Sequence, residues 1–162
     1  MKILVAGIGN VFLGDDGFGV EVARRLCRTA VPDGVRVADY GIRGMHLAHD
    51  LANSGYDLTI MIDSVDTGDP AGTVCVIELD PAGAPSAELL DAHGMQPDVV
   101  LGLVRLLGAT PGRVLLVGCC PASLDHRIGL SPAVSVAVDT AADEVVALVR
   151  EELSCAWASP AK

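Results

Sequence analysis

Apolar residues run without a break from Ile3 to Ala6 and stop at Gly7, the pattern of a central strand covered on both faces. After a glycine-punctuated loop, Gly19, Val20, Ala23, Leu26, Cys27 and Ala30 recur at helical spacing. Glu21, Arg24, Arg25 and Arg28 take the opposite face, with Glu21 placed to support Arg25 four residues on. Pro32-Asp33-Gly34 stops this helix, and Val35 to Ala38 predicts a second strand ending at Asp39 before the turn YGIRG. The next helix sets Gly44, Leu47, Ala48 and Leu51 on one face and His46, His49, Asp50 and Asn53 on the other. Leu58 to Ile62 predicts a third strand ending at Asp63, and Thr73 to Leu79 a fourth between two DPAG turns. Residues 80 to 97, rich in Pro, Ala, Gly and Asp, read as a loop with room for one helical turn, and they carry His93. Pro97 then opens a helix whose Val99, Val100, Leu103, Leu106 and Leu107 are expected to face the core. Arg113 to Val117 predicts a fifth strand. Ser131 caps, and Pro132 opens, a last helix with the stripe Val134, Val138, Ala141, Ala142, Val145, Leu148 and Val149.

Strands alternate with helices over nearly the whole chain, which predicts a three-layer α/β/α fold. Its sheet is five-stranded, twisted and mostly parallel, flanked by helices on both faces. The fourth strand follows the third with no helix between them, so it is expected to be antiparallel and at an edge. Residues 1–153 read as a single domain and 154–162 as a flexible tail.

Composition narrows the picture. The 162 residues are 51% hydrophobic but only 3% aromatic, so the core must be aliphatic. Eleven basic against 21 acidic side chains give a formal charge of −10, and the arginines are scattered, which argues against nucleic acid as a partner. The N-terminus lacks the pattern of a signal peptide and no run reaches a membrane-spanning length, so a cytoplasmic protein with no membrane partner is expected. The five cysteines (Cys27, Cys75, Cys119, Cys120, Cys155) form no CxxC pair and read as reduced, mostly buried thiols.

In an open α/β sheet, ligands bind beyond the carboxyl ends of the strands. Four features fall there: the loop Gly9 to Gly17 with Asp15 and Asp16, Asp39, Asp63, and Gly118-Cys119. Three strand-end carboxylates and a loop His suit a borderline divalent cation such as nickel or zinc. Each residue also has a plainer account. One of Asp15 and Asp16 can cap the following helix, although capping leaves the other over. Asp63 can form an Asx turn into Ser64-Val65-Asp66, and Asp39 can fix the YGIRG loop. A lone loop histidine is usually solvated, His46 and His49 share a polar face with Asp50 and Asn53, and Cys119 and Cys120 are most simply buried thiols.

Three rival readings fail. A dinucleotide-binding G-x-G-x-x-G has Phe12 at its third glycine, and no Gly-Lys-Ser/Thr exists for a phosphate loop. A phosphoryl-accepting receiver domain needs a lysine after the fifth strand, and the only lysines are Lys2 and Lys162.

The segments GIGNVFLGDDGFGV, DYGIRGMHL, IMIDSVDTGDPAGTV, His93 and LVGCCPASLDHRIGLSPAV stand in one order that resembles the endopeptidases maturing the large subunit of [NiFe] hydrogenases. The resemblance covers about residues 2 to 150. Tyr40 and Ile42 depart from it where small residues are usual, Asp16 stands where some members carry Glu, and Pro97 has no place in the pattern. The resemblance implies an aspartyl-type or metal-assisted cytoplasmic endopeptidase, and weak or no resident metal is expected, since three ligands without a substrate's thiolates form an incomplete site. The endopeptidase would remove the C-terminal extension of a large-subunit precursor after nickel insertion and act as a monomer. By the same resemblance Asp16, Asp63 and His93 would bind nickel supplied by the substrate, with Asp16 and Asp63 catalytic and Asp15 left to loop structure. Asp39, Gly41 and Gly44 would line the substrate cleft. The alternative is a non-catalytic, metal-dependent chaperone that binds a metalloprotein precursor.

Overall fold

The computed structural model describes residues 1–82 and 96–158. Its strands are β1 (Ile3–Ile8), β2 (Val35–Gly41), β3 (Leu58–Ser64), β4 (Val74–Leu79) and β5 (Arg113–Cys119), joined in one sheet of order β2-β1-β3-β5-β4. β1 runs parallel to β2 and β3, and β3 parallel to β5. β4 pairs antiparallel with β5 at the edge, because the short β3–β4 connection carries no crossover helix. The helices are α1 (Phe18–Leu26), α2 (Gly44–Ser54), α3 (Pro97–Leu106) and α4 (Pro132–Ala158), with a single 3-10 turn at Gly14–Gly17 leading into α1.

Alternation along the strands sorts the core into two halves. Ile3, Val5, Ile60, Leu115 and Val117 pack with Phe18, Val22 and Leu26 of α1 and with Val134, Ala141 and Val145 of α4. Leu4, Ala6, Met61, Val114 and Leu116 face the other way, onto Leu47, Ala48 and Leu51 of α2 and Val100, Leu101 and Val104 of α3. The three layers expected from the chain pattern are therefore present, with α1 and α4 on one face and α2 and α3 on the other.

Three details differ from the pattern. α1 ends at Leu26, after which Arg28 and Thr29 donate their N–H groups three residues back to Arg25 and Leu26; Cys27 and Ala30 are exposed, and Val22 takes a core position instead. Glu21 pairs with Arg24 at 2.9 Å, while Arg25 reaches Asp139 of α4 at 3.1 Å. The buried face of α3 is Pro97, Val100, Leu101 and Val104, whereas Leu106 is 84% exposed, Leu107 is 52% exposed and Val99 is 38% exposed. This helix is apolar at most positions, so two adjacent stripes satisfy the same spacing and only the sheet chooses between them.

α4 continues to Ala158, so Ser154, whose hydroxyl donates to the Arg150 carbonyl at 2.7 Å, belongs to the helix rather than to a tail. The predicted loop turn around His93 lies outside the described residues. All five cysteines are free: Cys119 and Cys120 are buried, Cys75 is half-buried, and Cys27 and Cys155 are exposed. No helix among the described residues is long and apolar enough to cross a membrane.

Candidate active site

The chain leaves β1 toward β2 on one side and returns as β3 on the other, so the carboxyl ends of β1 and β3 form the switch point of the sheet. Glycine lets α1 close down on it. A Cβ on Gly19 would collide with the carbonyl oxygens of Ile62 and Ile8, and one on Gly7 with the Gly19 carbonyl. Gly9 has φ +128, and a Cβ there would strike the Asp16 carbonyl, so the β1 loop folds back directly over the strand ends. The glycines of GIGN thus serve helix-to-sheet contact, and Phe12 points away from it, 63% exposed.

The two neighbouring carboxylates of this loop part company. Asp15 is fully buried and faces the loop after β5. Its Oδ1 accepts the Ser131 N–H at 2.6 Å; its Oδ2 accepts the Ala122 N–H at 2.8 Å, the Ser123 N–H at 3.1 Å and the Ser131 hydroxyl at 2.9 Å. Burial works to raise the Asp15 pKa, but these four hydrogen bonds outweigh it and hold the carboxyl below its ordinary range. Asp15 does not cap the helix that follows it. It sits instead at the start of α4, where Ser131 occupies the cap position and spends its hydroxyl on Asp15, and where a negative charge meets the positive end of a 27-residue helix.

Asp16 turns the other way. Its Oδ2 accepts the Asn10 N–H at 2.7 Å and its Oδ1 accepts the Ser64 hydroxyl at 3.3 Å, which sets it beside the end of β3. There Asp63, 5% exposed, accepts the N–H of Ser64 on Oδ1 at 2.8 Å. No Asx turn forms, since the Val65 N–H donates to the Cys119 carbonyl. Burial first, and then the charge of Asp16, push the Asp63 pKa well above the ordinary carboxylate range, against a smaller opposing effect of the Ser64 N–H. Ser64 is the one described residue hydrogen-bonded to both carboxylates. Nothing in its residue type signals this; only the pairing of β3 with β1 does.

The remaining candidates fall around this pair. Asp39 is held by Arg24 Nε at 3.3 Å, and its carbonyl accepts the Arg43 guanidinium, so it ties β2 to α1 and to the YGIRG turn. The Gly41 carbonyl accepts the Gly9 N–H at 3.1 Å, which places it against the β1 loop, while Gly44 is buried as the first residue of α2 and offers only backbone shape. His93 lies outside the described residues, and among those described no group of three His, Cys, Asp or Glu converges as a metal site. Cys119 is no candidate nucleophile, since burial pushes its thiol up to about 11. Of the supposedly solvated face of α2, His46 and His49 are exposed, but Asp50 accepts the Tyr40 hydroxyl at 2.5 Å and Arg36 Nη1 at 3.2 Å.

A carboxylate pair in which one member is buried and reluctant to ionise, at the switch point of a doubly covered sheet, is the arrangement of a hydrolytic or cation-handling centre. Comparison with known proteins narrows it. The family model described as hydrogenase maturation protease matches residues 20–148, well over half of the chain. The chain is 35% identical over 153 residues to the hydrogenase 2 maturation protease of Escherichia coli K12, covering 93% of this chain and 92% of that one. It is 36% identical over 152 residues to the hydrogenase expression/formation protein HupD of Rhodobacter capsulatus, covering 92% of this chain and 71% of that one. Among solved structures, the hydrogenase maturating endopeptidase HybD of E. coli superposes with a TM-score of 0.76 at 32% identity, covering 94% of both chains. A [NiFe] hydrogenase maturation protease HycI from Thermococcus kodakarensis gives 0.76 at 25% identity, over 92% of each. The chain belongs to the hydrogenase maturation protease family, and with that membership it is a peptidase.

Proposed function

We propose that this protein is the endopeptidase that removes the C-terminal extension of a [NiFe] hydrogenase large-subunit precursor once nickel has been inserted, working as a cytoplasmic monomer. The observation that carries the reading is the Asp16–Asp63 pair, bridged by Ser64 at the switch point, in a chain of this family. The donor set suits a cation that arrives with the substrate. Two adjacent carboxylate groups supply oxygen ligands, and a positive charge between them relieves the repulsion that disfavours the ionised Asp63. In this reading Asp16 and Asp63 hold the nickel, with His93 as a third ligand, and Asp39 and Gly41 shape the cleft that receives the substrate tail.

Nickel carried in by the precursor would supply Lewis acidity at the scissile carbonyl. The chain's own contribution is positional. The Asn10 N–H and Ser64 fix Asp16, and burial on the β3 end fixes Asp63 and keeps water scarce around it. Whichever carboxylate oxygen of the pair is not tied to the metal is placed to accept a proton from an attacking water.

The test is to incubate the protein with nickel-loaded and nickel-free precursor and follow the precursor's mass. Loss of a C-terminal peptide from the loaded form alone is expected. Tight association with no change of mass would overturn the protease reading in favour of a binding role, and equal cleavage of both forms would remove nickel from it.

A further inference from the structure

The mouth of this crevice carries large apolar side chains that the core does not use. Phe12 is 63% exposed, Leu124 is 50% exposed and Ile128 is 78% exposed. They come from two loops far apart in sequence, knitted together by the backbone. The Arg127 N–H donates to the Phe12 carbonyl at 3.0 Å, the Gly14 N–H to the Arg127 carbonyl at 2.9 Å, and the Asp15 N–H to the Ser123 carbonyl at 3.1 Å. The buried Asp15 carboxylate pins the same junction from beneath. Apolar tips on an ordinary surface loop lose conformational freedom when a partner orders them; here that freedom is already spent on the fold. Across the Gly9 exit, the turn bonded to Gly9 through Gly41 presents a second lip, with Ile42 62% exposed and Met45 59% exposed.

We infer that these two lips form a preorganised docking surface for an apolar chain segment of the precursor polypeptide, next to the bond that is cut. The occupant follows from continuity and charge. Phe12 is two residues from Asn10, whose N–H holds Asp16, and Gly41 is bonded to Gly9, so both lips belong to segments tied to the loop that carries the carboxylate pair's Asp16. A formal charge of −10 acts over long range on encounter and orientation more than on affinity, so close apolar contact at the lips supplies the affinity. The inference rests on the protease reading for the identity of the partner.

The experiment compares wild type with two double variants, Phe12→Ser with Ile128→Ser and Ile42→Ser with Met45→Ser. Leu106→Ser is the control, 84% exposed at the end of α3 near the opposite edge of the strands. The probe is the nickel-loaded large-subunit precursor from the same organism, and thermal unfolding confirms that each variant folds. Each double variant is expected to raise KM for cleavage, and Kd for the precursor by calorimetry, by roughly 10-fold or more, with kcat within about twofold of wild type. Leu106→Ser is expected to match wild type. Unchanged KM and Kd, or a fall in kcat alone, would overturn the inference. So would sedimentation showing that the substitutions dissociate a dimer while leaving precursor binding intact, which would make a second copy the occupant. If wild type binds but never cuts the precursor, the protease reading fails, and the Kd values alone still decide the docking surface.

Discussion

At the scale of single residues, two adjacent aspartates do opposite work, and the difference lies in what each oxygen accepts. Asp15 joins two loops and the start of α4 through four hydrogen bonds. Asp15→Ala strands those buried donors and should cost about 3 kcal/mol or more, read as a lowered urea midpoint. Asp63 is the reverse case. Its folded pKa lies above the ordinary 3.8, so the folded state binds the proton more tightly than the unfolded chain does. Its ionisation therefore subtracts stability as pH rises from 3.8 through the raised folded value, and Asp63→Asn should be at least as stable as wild type at pH 7 while losing cleavage. Unfolding curves over that range, which should be flatter in the variant, check the sign. The pair itself was legible in the sequence as a surplus carboxylate. Which member faces the site followed from the family resemblance and not from the residue pattern, because it depends on Ser64 and on the loop after β5, 48 and more than 100 residues away.

Among the elements, the strands were legible because apolar runs bounded by glycine, proline and aspartate admit little else. The helices were legible in number but less so in orientation. The apolar run of α3 satisfies two stripes, and the sheet selects the one through Val100, Leu101 and Val104. α1 is tied to the sheet by the absence of side chains, so Gly19→Ala should be severe. Its Cβ would meet two strand carbonyls that cannot move aside, for an expected loss on the order of 3 kcal/mol or failure to recover folded protein. Tyr40 is the instructive departure. In sequence it stands out as a bulky residue where small ones are usual; in the structure it is buried and bonded to Asp50 of α2, clamping that helix to the β2 edge. The Tyr40 hydroxyl, then Arg36, hold the Asp50 carboxyl below its ordinary range despite partial burial, so this contribution is present above pH 3.8 and is lost as pH falls through the lower folded value. Tyr40→Phe should cost about 1–2 kcal/mol at pH 7, and the gap from wild type should close on acidification in denaturant titrations.

On the scale of the whole molecule, the order β2-β1-β3-β5-β4 decides where chemistry can occur. It brings the β1 loop and the end of β3 together, encloses Asp63, and leaves apolar lips around the opening. That convergence was foreseeable from alternating strands and helices and from aspartates at strand ends; the lips were not, since exposed loop residues carry no periodicity. Function at this opening depends on the division of labour among Asp15, Asp16 and Asp63. The direct measurement is mass-resolved cleavage of nickel-loaded precursor by Asp15→Asn, Asp16→Asn and Asp63→Asn, each with its unfolding curve. Asp16→Asn and Asp63→Asn should stay folded and lose roughly 100-fold or more in rate, while Asp15→Asn should be chiefly destabilised and cut the precursor at temperatures where it remains folded. A folded Asp16→Asn or Asp63→Asn that processes the precursor at the wild-type rate would contradict the account.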